Sequence, residues 1–257
     1  MIYDIQKAGI IRRLSAWLLD IILLCVLAVG CAWIIGAAAD YDTSAAQLDA
    51  CYTRFETEYG VDFDCLPENY EASSEADRLA YQQAYEAAEK ALLADQEVVR
   101  LYNLVIQMTL IMVSGGILLA VLILEFLVPM LLRNGQTVGK KIFSLAVVRT
   151  NGVKINGICL FIRSILGKYT VETMICVYVI IMLFFGQIGL LGLILIGALA
   201  LAQLVLVIVT RNNSLIHDLM ADTVVVDMST QMIFADEAER LAYQQREAAE
   251  RAARQTY

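Results

Sequence analysis

Two carboxylates stand inside apolar runs of this chain, where a charge is costly unless it has a partner or a task. Asp20 interrupts the run 14–39 and Glu125 interrupts the run 104–132. Arg13 precedes Asp20 by seven residues, about two helical turns, so the pair shares one helix face. A single ion pair would account for both. Glu125 lies about two turns from the end of its own run, at a depth similar to that of Asp20. The two carboxylates could approach each other, or share Arg13 or Arg163. Read as chemistry, the set is a proton or cation relay, because two carboxylates in a low dielectric repel and one takes up a proton more readily. Read as structure, it is a buried charge network that fixes how helices dock. The residues alone lean towards the structural reading.

Other motifs are poorer. Gly135-Gln136-Thr137-Val138-Gly139-Lys140-Lys141 has the look of a phosphate loop, but it is one residue short between the glycines and lacks Ser or Thr after the lysine. His217-Asp218 suggests a metal-dependent phosphohydrolase, but His217 is the only histidine, so no metal site is expected. Ser, His and Asp do not fall in a triad-like order. The chain is expected to be no enzyme and to carry no cofactor. Among the six cysteines, Cys25, Cys31, Cys159 and Cys176 lie in or beside apolar runs and read as small hydrophobes. Cys51 and Cys65 lie in an acidic stretch and are open to two readings, a disulfide on an oxidising side or two free thiols.

The elements that must hold these residues are membrane spans. Apolar residues make up 59% of the 257, with mean hydropathy +0.64, and they come in blocks. A spanning helix needs about 20 apolar residues. The runs 14–39, 104–132, 169–185 and 188–210 qualify or nearly so, with Gly186-Gln187-Ile188-Gly189 as a tight hairpin between the last two. Ala37-Ala38-Ala39 resembles a signal cleavage site, but the first run is longer than a signal core, so a retained helix is expected.

Charge supplies an orientation. Residues 133–163 hold Arg133, Lys140, Lys141, Arg149, Lys154 and Arg163 and no acid. Residues 40–100 hold 15 acids and 4 bases, a net of -11 out of -8 for the whole chain. Lys7, Arg12 and Arg13 precede the first span and Arg211 follows the last. By the positive-inside rule the basic segments and both termini are cytoplasmic, and the acidic insert lies outside. Nothing here suits a nucleic-acid partner.

Between the spans, 73–100 is rich in Ala, Glu, Gln and Leu and reads as a helix running into the second span, with Ser73 or Ser74 as its cap. Residues 45–59 form a second, weaker helix, and Leu66-Pro67-Glu68-Asn69 separates the two. Residues 142–148 read as a strand, Asn151-Gly152 as a hairpin turn, and 153–155 and 223–226 as two more strands of a small three-stranded sheet. Residues 157–167 read as a short interfacial helix. The segment 75–83 recurs as 237–245 with one difference, Asp77 against Glu239. The second copy reads as part of a solvated cytoplasmic helix, and no function follows from the repeat.

Three blocks in order resemble the RDD family of membrane proteins. They are Arg13-Leu14-Ser15-Ala16-Trp17-Leu18-Leu19-Asp20, Gly135 to Lys141 with the strand, turn and Arg163 that follow, and His217-Asp218 with Thr223-Val224-Val225. The resemblance makes Gly135, Thr137, Gly139, Lys140, His217, Asp218 and Thr223 family-motif residues. It implies a few membrane spans, with transport or a scaffold role suggested. It does not cover the insert 40–100 or the tail after Asp227.

The expected architecture is an all-α membrane protein of about four spans, with a small cytoplasmic β-element and an outer helical insert. Its parts are 1–39, 40–103, 104–132, 133–168, 169–210 and 211–257. The expected setting is the plasma membrane, as a homo-oligomer or within a larger membrane complex. Transport through Asp20 and Glu125 with Arg13 is one expected function, and a scaffold binding partners through the insert and tail is the other.

Overall fold

The computed structural model describes residues 3–67, 70, 73–132, 134–175, 178–179, 181–182, 189–210 and 214–255. In chain order the helices are α1 (Ile10–Ala38), α2 (Tyr41–Tyr59), α3 (Glu75–Ala94), α4 (Gln96–Leu131), α5 (Val138–Ile142), α6 (Gly157–Phe161), α7 (Gly189–Val209), α8 (Ile216–Met220) and α9 (Glu237–Gln255). The strands are β1 (Leu145–Arg149) and β2 (Thr223–Asp227). α4 contains a π-helical turn at Leu122–Leu127, and α6 continues into a π-helical segment at Ile162–Glu172.

Among the described residues, α1 and α4 are long and apolar enough to cross a membrane. Only 11% and 22% of their most apolar windows are buried within the protein. Ile11, Val26, Val29 and Trp33 therefore stand exposed, which lipid favours and water opposes. Residues 176–177, 180 and 183–185 of the expected third span, Cys176 among them, and the hairpin at Gly186-Gln187 fall outside the described residues. In place of four established spans, the described structure contains two candidate membrane helices. α7 is apolar, and its described apolar stretch Gly197–Val209 is shorter than a span.

The chain forms two compact units, Ala32–Val113 and Met1–Cys31 with Ser114–Tyr257. In the first, α2 and α3 pack around buried Phe55, Leu92 and Val98, with Leu48, Cys51, Tyr52 and Phe63 against them. Ser74 caps α3 by accepting the Asp77 N–H at 3.3 Å. α3 does not run unbroken into α4. Asp95 interrupts it and caps α4, accepting the N–H groups of Glu97 at 2.8 Å and Val98 at 3.3 Å. Arg54 holds the same carboxylate at 2.7 Å. Cys51 and Cys65 are not bridged in this structure. Cys51 is turned into the apolar cluster, whereas Cys65 lies exposed in the following loop.

In the second unit the sheet has two strands, β1 and β2, antiparallel, with Val147 opposite Val225 and Ala146 opposite Val226. The expected strand 153–155 contributes only isolated bridges, Val148 to Lys154 and Val153 to Phe234. The expected start at residue 142 is also wrong, since Ile142 closes α5, which Thr137 caps. The N-terminal segment supplies a neighbour that the sequence did not suggest. Lys7 bridges Val226, and the Asp227 N–H donates to the Gln6 carbonyl at 3.0 Å.

Both sheet faces are buried, which explains the unbroken valine runs. Leu145, Val147 and Val225 pack on Ala8, Ala16 of α1, Phe143 and Ile155. Ala146, Val148, Val224 and Val226 pack on Ile5 and Ile233.

The repeated segment starts a capped helix in both places. Asp236 accepts the Glu239 N–H at 2.8 Å, as Ser74 does for Asp77. In each copy the tyrosine anchors the helix. The Tyr81 hydroxyl meets the backbone of Asp62, and the Tyr243 ring stacks on Tyr3 at 5.7 Å and packs on Phe234. The first turns of α9 are thus docked, not wholly solvated.

Candidate functional site

Asp20 comes first, because α1 brings it to a place where the chain closes around it. Ala16 lies one turn earlier on the same face and is 1% exposed. Gly139 of α5 abuts it so closely that a Cβ at 139 would collide with the Ala16 carbonyl oxygen and stand 2.9 Å from Asp20 Oδ1. This approach is what the second glycine of the 135–141 motif allows. Through it, the Gly139 N–H donates to Asp20 Oδ1 at 2.8 Å and the Thr137 hydroxyl donates to Oδ2 at 2.5 Å. Lys140 Nζ lies 3.9 Å from Oδ2. Asp20 is engaged by this loop instead of by Arg13. Gly135, at φ 60°, makes the turn that starts the loop, packed between Ile155 and Val147.

Glu125 sits on the π-helical turn of α4. Pro129, four residues on, has no N–H to return to the Glu125 carbonyl. The Ser164 hydroxyl donates to that oxygen at 2.6 Å. The Glu125 side chain pairs with Lys168 at 2.7 Å. Lys168 lies five residues after Arg163 within the second π-helical segment, a spacing that an α-helical reading does not place on one face. Among the described residues, Asp20 and Glu125 form their ion pairs with Lys140 and Lys168, and none with Arg13 or Arg163.

Both arginines serve Asp218 instead. Arg163 Nη1 donates to Asp218 Oδ1 and to the Thr223 hydroxyl, the latter at 2.6 Å. Arg13 Nη2 stands 3.8 Å from Asp218 Oδ2. Thr223 donates to Asp218 Oδ1 at 3.1 Å. The neighbouring His217 reaches Glu172 through Nδ1 at 2.7 Å and approaches Asp218 through Nε2 at 3.5 Å. Gly167 admits this crossing, because a Cβ there would stand 2.6 Å from His217 Cβ. The family-motif residues therefore converge on two carboxylates, Asp20 and Asp218.

Four bases (Arg13, Lys140, Arg163, Lys168) face four acids (Asp20, Glu125, Glu172, Asp218), so the layer is electrically balanced. Burial is the largest influence on Asp218, His217 and Lys140. It would raise the Asp218 carboxyl, but Arg163, His217 and Arg13 together hold it well below its usual range. It lowers His217, with Arg163 adding to the effect against Asp218 and Glu172. It lowers Lys140 to about 8, with Lys168 adding to the effect against Glu125 and Asp20. Among the described residues, no group of His, Cys, Asp and Glu is gathered to hold a metal ion. Lys168, Glu172 and Ser164 escaped sequence reasoning. Lys168 and Glu172 depend on π-helical spacing, and Ser164 on a carbonyl that Pro129 leaves open.

The family comparison fits this convergence. No curated protein and no solved structure matches the chain. A family model described as the RDD family matches residues 7–222, which takes in Arg13, Asp20, the 135–141 loop, Arg163 and His217-Asp218. The chain belongs to the RDD family of membrane proteins.

Proposed function

We propose that this protein moves protons or a small cation across the membrane through exchange at its two buried lysine–carboxylate pairs, Asp20 with Lys140 and Glu125 with Lys168. The observation that carries the reading is that Glu125 and Lys168 meet at 2.7 Å from two separate π-helical stretches. π-helical turns inside helices are frequent at functional sites. Lys140, brought to about 8, changes protonation near neutral pH beside Asp20. Arg13 and Arg163, tied to Asp218, are the fixed part of the layer. In this reading the chain is a multi-pass protein of the plasma membrane, non-enzymatic, with four spans. The 133–168 segment and both termini are cytoplasmic and the acidic unit lies outside, as the distribution of Lys and Arg suggests. So few spans favour an oligomer.

Flux in proteoliposomes carrying a pH gradient tests it. The wild-type protein is expected to dissipate the gradient when a monovalent cation is supplied, and Glu125→Gln and Asp20→Asn are each expected to abolish this. Undiminished flux in both variants removes the reading.

A second reading is a membrane scaffold that binds partners through the outer insert and the tail. It is favoured by the unit Ala32–Val113, whose acidic helices have their own apolar centre. Pull-down with full-length protein and with versions lacking 40–100 or 230–257 tests it. Identical partners in all three would remove it.

A further inference from the structure

The tail helix α9 is anchored by Tyr243 and along its Glu237–Gln244 edge, where Gln244 donates to the Tyr3 hydroxyl. Tyr243 packs on Tyr3 and Phe234, and the Asn151 amide donates to Glu237 at 2.9 Å. Ala238, Leu241, Ala242, Gln245, Ala248 and Ala249 recur at helical spacing and fall on one stripe, well over 90° around the helix from Tyr243. Leu241 is 46% exposed, and Ala238, Gln245, Ala248 and Ala249 are exposed. One edge of the stripe carries Glu237, Gln244 and Arg251, seven residues apart.

We propose that this face pairs antiparallel with the same helix of a second copy of the chain. The charges select that occupant. A two-fold axis at Gln244 sets Glu237 against Arg251 of the partner subunit and repeats the pair on the other side, the self-complementarity of an isologous contact. A parallel pair would instead set this edge against the opposite edge of the partner's helix, leaving Glu237 without an arginine across from it. The alanines let the two backbones come close, and Leu241 packs across Gln245. A lipid surface fits less well. α9 carries Glu237, Glu239, Glu247 and Glu250 against Arg240, Arg246, Arg251 and Arg254, so it has no net charge to draw it to anionic headgroups, and Leu241 is its one large aliphatic side chain. The contact is small, but two copies confined to one membrane meet at high effective concentration. Glu237 now holds Arg240 and accepts from Asn151, and Arg251 holds Glu247; the two ion pairs are exposed and exchange at little cost. The inference does not depend on whether the protein transports.

The test uses full-length protein in native membranes, expressed as two differently tagged copies, one carrying Glu237→Cys and the other Arg251→Cys. A short bis-maleimide is expected to join unlike copies above the level given by copies with the native cysteines alone. Joining only of like copies, or no joining above that level, means another arrangement or another occupant such as lipid. Either result overturns the proposal. A charge swap provides the second measurement. Arg251→Glu is expected to lower the cross-linking of a Gln244→Cys protein roughly threefold or more, and adding Glu237→Arg is expected to restore it. If the single reversal has no effect, the antiparallel pairing is wrong.

Discussion

The hydroxyl of Ser164 donates to the backbone carbonyl of Glu125 at 2.6 Å, four residues before Pro129, which has no N–H to offer it. The π-helical turn, the proline and the serine are one device, and the device sets Glu125 opposite Lys168. Ser164→Ala strands that buried carbonyl and is expected to cost about 1–3 kcal/mol. In a Pro129→Ala background residue 129 regains its N–H, and the same serine change is expected to cost less than half as much. A double-mutant cycle on thermal unfolding in detergent measures the coupling, and equal costs in both backgrounds would contradict it.

Gly139 is the point where the loop meets α1. Gly139→Ala drives a methyl into the Ala16 carbonyl and the Asp20 carboxylate, and is expected to destabilise by about 1–3 kcal/mol. Gly157→Ala, at a position with open space around it, is the control and is expected to change stability by well under that amount. Melting temperatures of the two variants decide between them.

Asp218 neutralises two arginines. Asp218→Asn leaves Arg163 and Arg13 without their carboxylate in a nearly water-free site, and is expected to cost about 3–5 kcal/mol. Arg12→Ala breaks an exposed pair with Asp227 and is expected to cost less than about 1 kcal/mol. Denaturant unfolding of the detergent-solubilised variants is the measurement.

Stability should fall with acid, and each group contributes in a known direction. Asp218 is depressed in the fold, so its contribution is complete above about pH 4 and is lost as pH falls through the lower folded value. His217 is also depressed. The unfolded chain takes its proton first as pH drops through about 6.5, so stability declines from there downward. Lys140, at about 8 in the fold against an ordinary 10.5, favours the folded state progressively as pH rises through that window. The expected melting curve is level near pH 7–8, falls below about 6.5, and has a rising limb above 8 that Lys140→Met removes. A rising limb that survives Lys140→Met would contradict the assignment.

Cys65 is exposed and Cys51 lies half-buried against the Phe55 cluster. A membrane-impermeant maleimide added to intact cells is expected to label Cys65 quickly and Cys51 slowly, without prior reduction. Labelling that requires a reductant would show a bridge, and labelling only after lysis would place the acidic unit on the other side of the membrane.

Much of this protein is legible in its residues, and the limits are physical. Apolar runs of 14–39 and 104–132 can satisfy their backbone in lipid only as helices, and α1 and α4 overlap them closely. The valines of 145–148 and 223–226 likewise announced a buried sheet. The break at Asp95 was not foreseen, because Ala- and Glu-rich composition favours helix on both sides of it and only the cap geometry shows where one helix ends. The strand at 153–155 is reduced to single bridges, Lys154 to Val148 beside β1 and Val153 to Phe234, while Gln6–Ala8 lies along the other edge, beside β2.

What the sequence determined by itself was which residues are too costly to bury alone: Asp20, Glu125, Arg163, Asp218 and the glycines that let backbones approach them. The pairing was left to the tertiary structure. Arg13 and Asp20 share a helix face, yet Arg13 meets Asp218 while Asp20 meets Thr137, Gly139 and Lys140. A local spacing constrains only neighbours on one helix. The partner a buried charge acquires depends on which distant segment packs over it, and here Ala16 and Gly139 are small enough to bring the loop to Asp20 first.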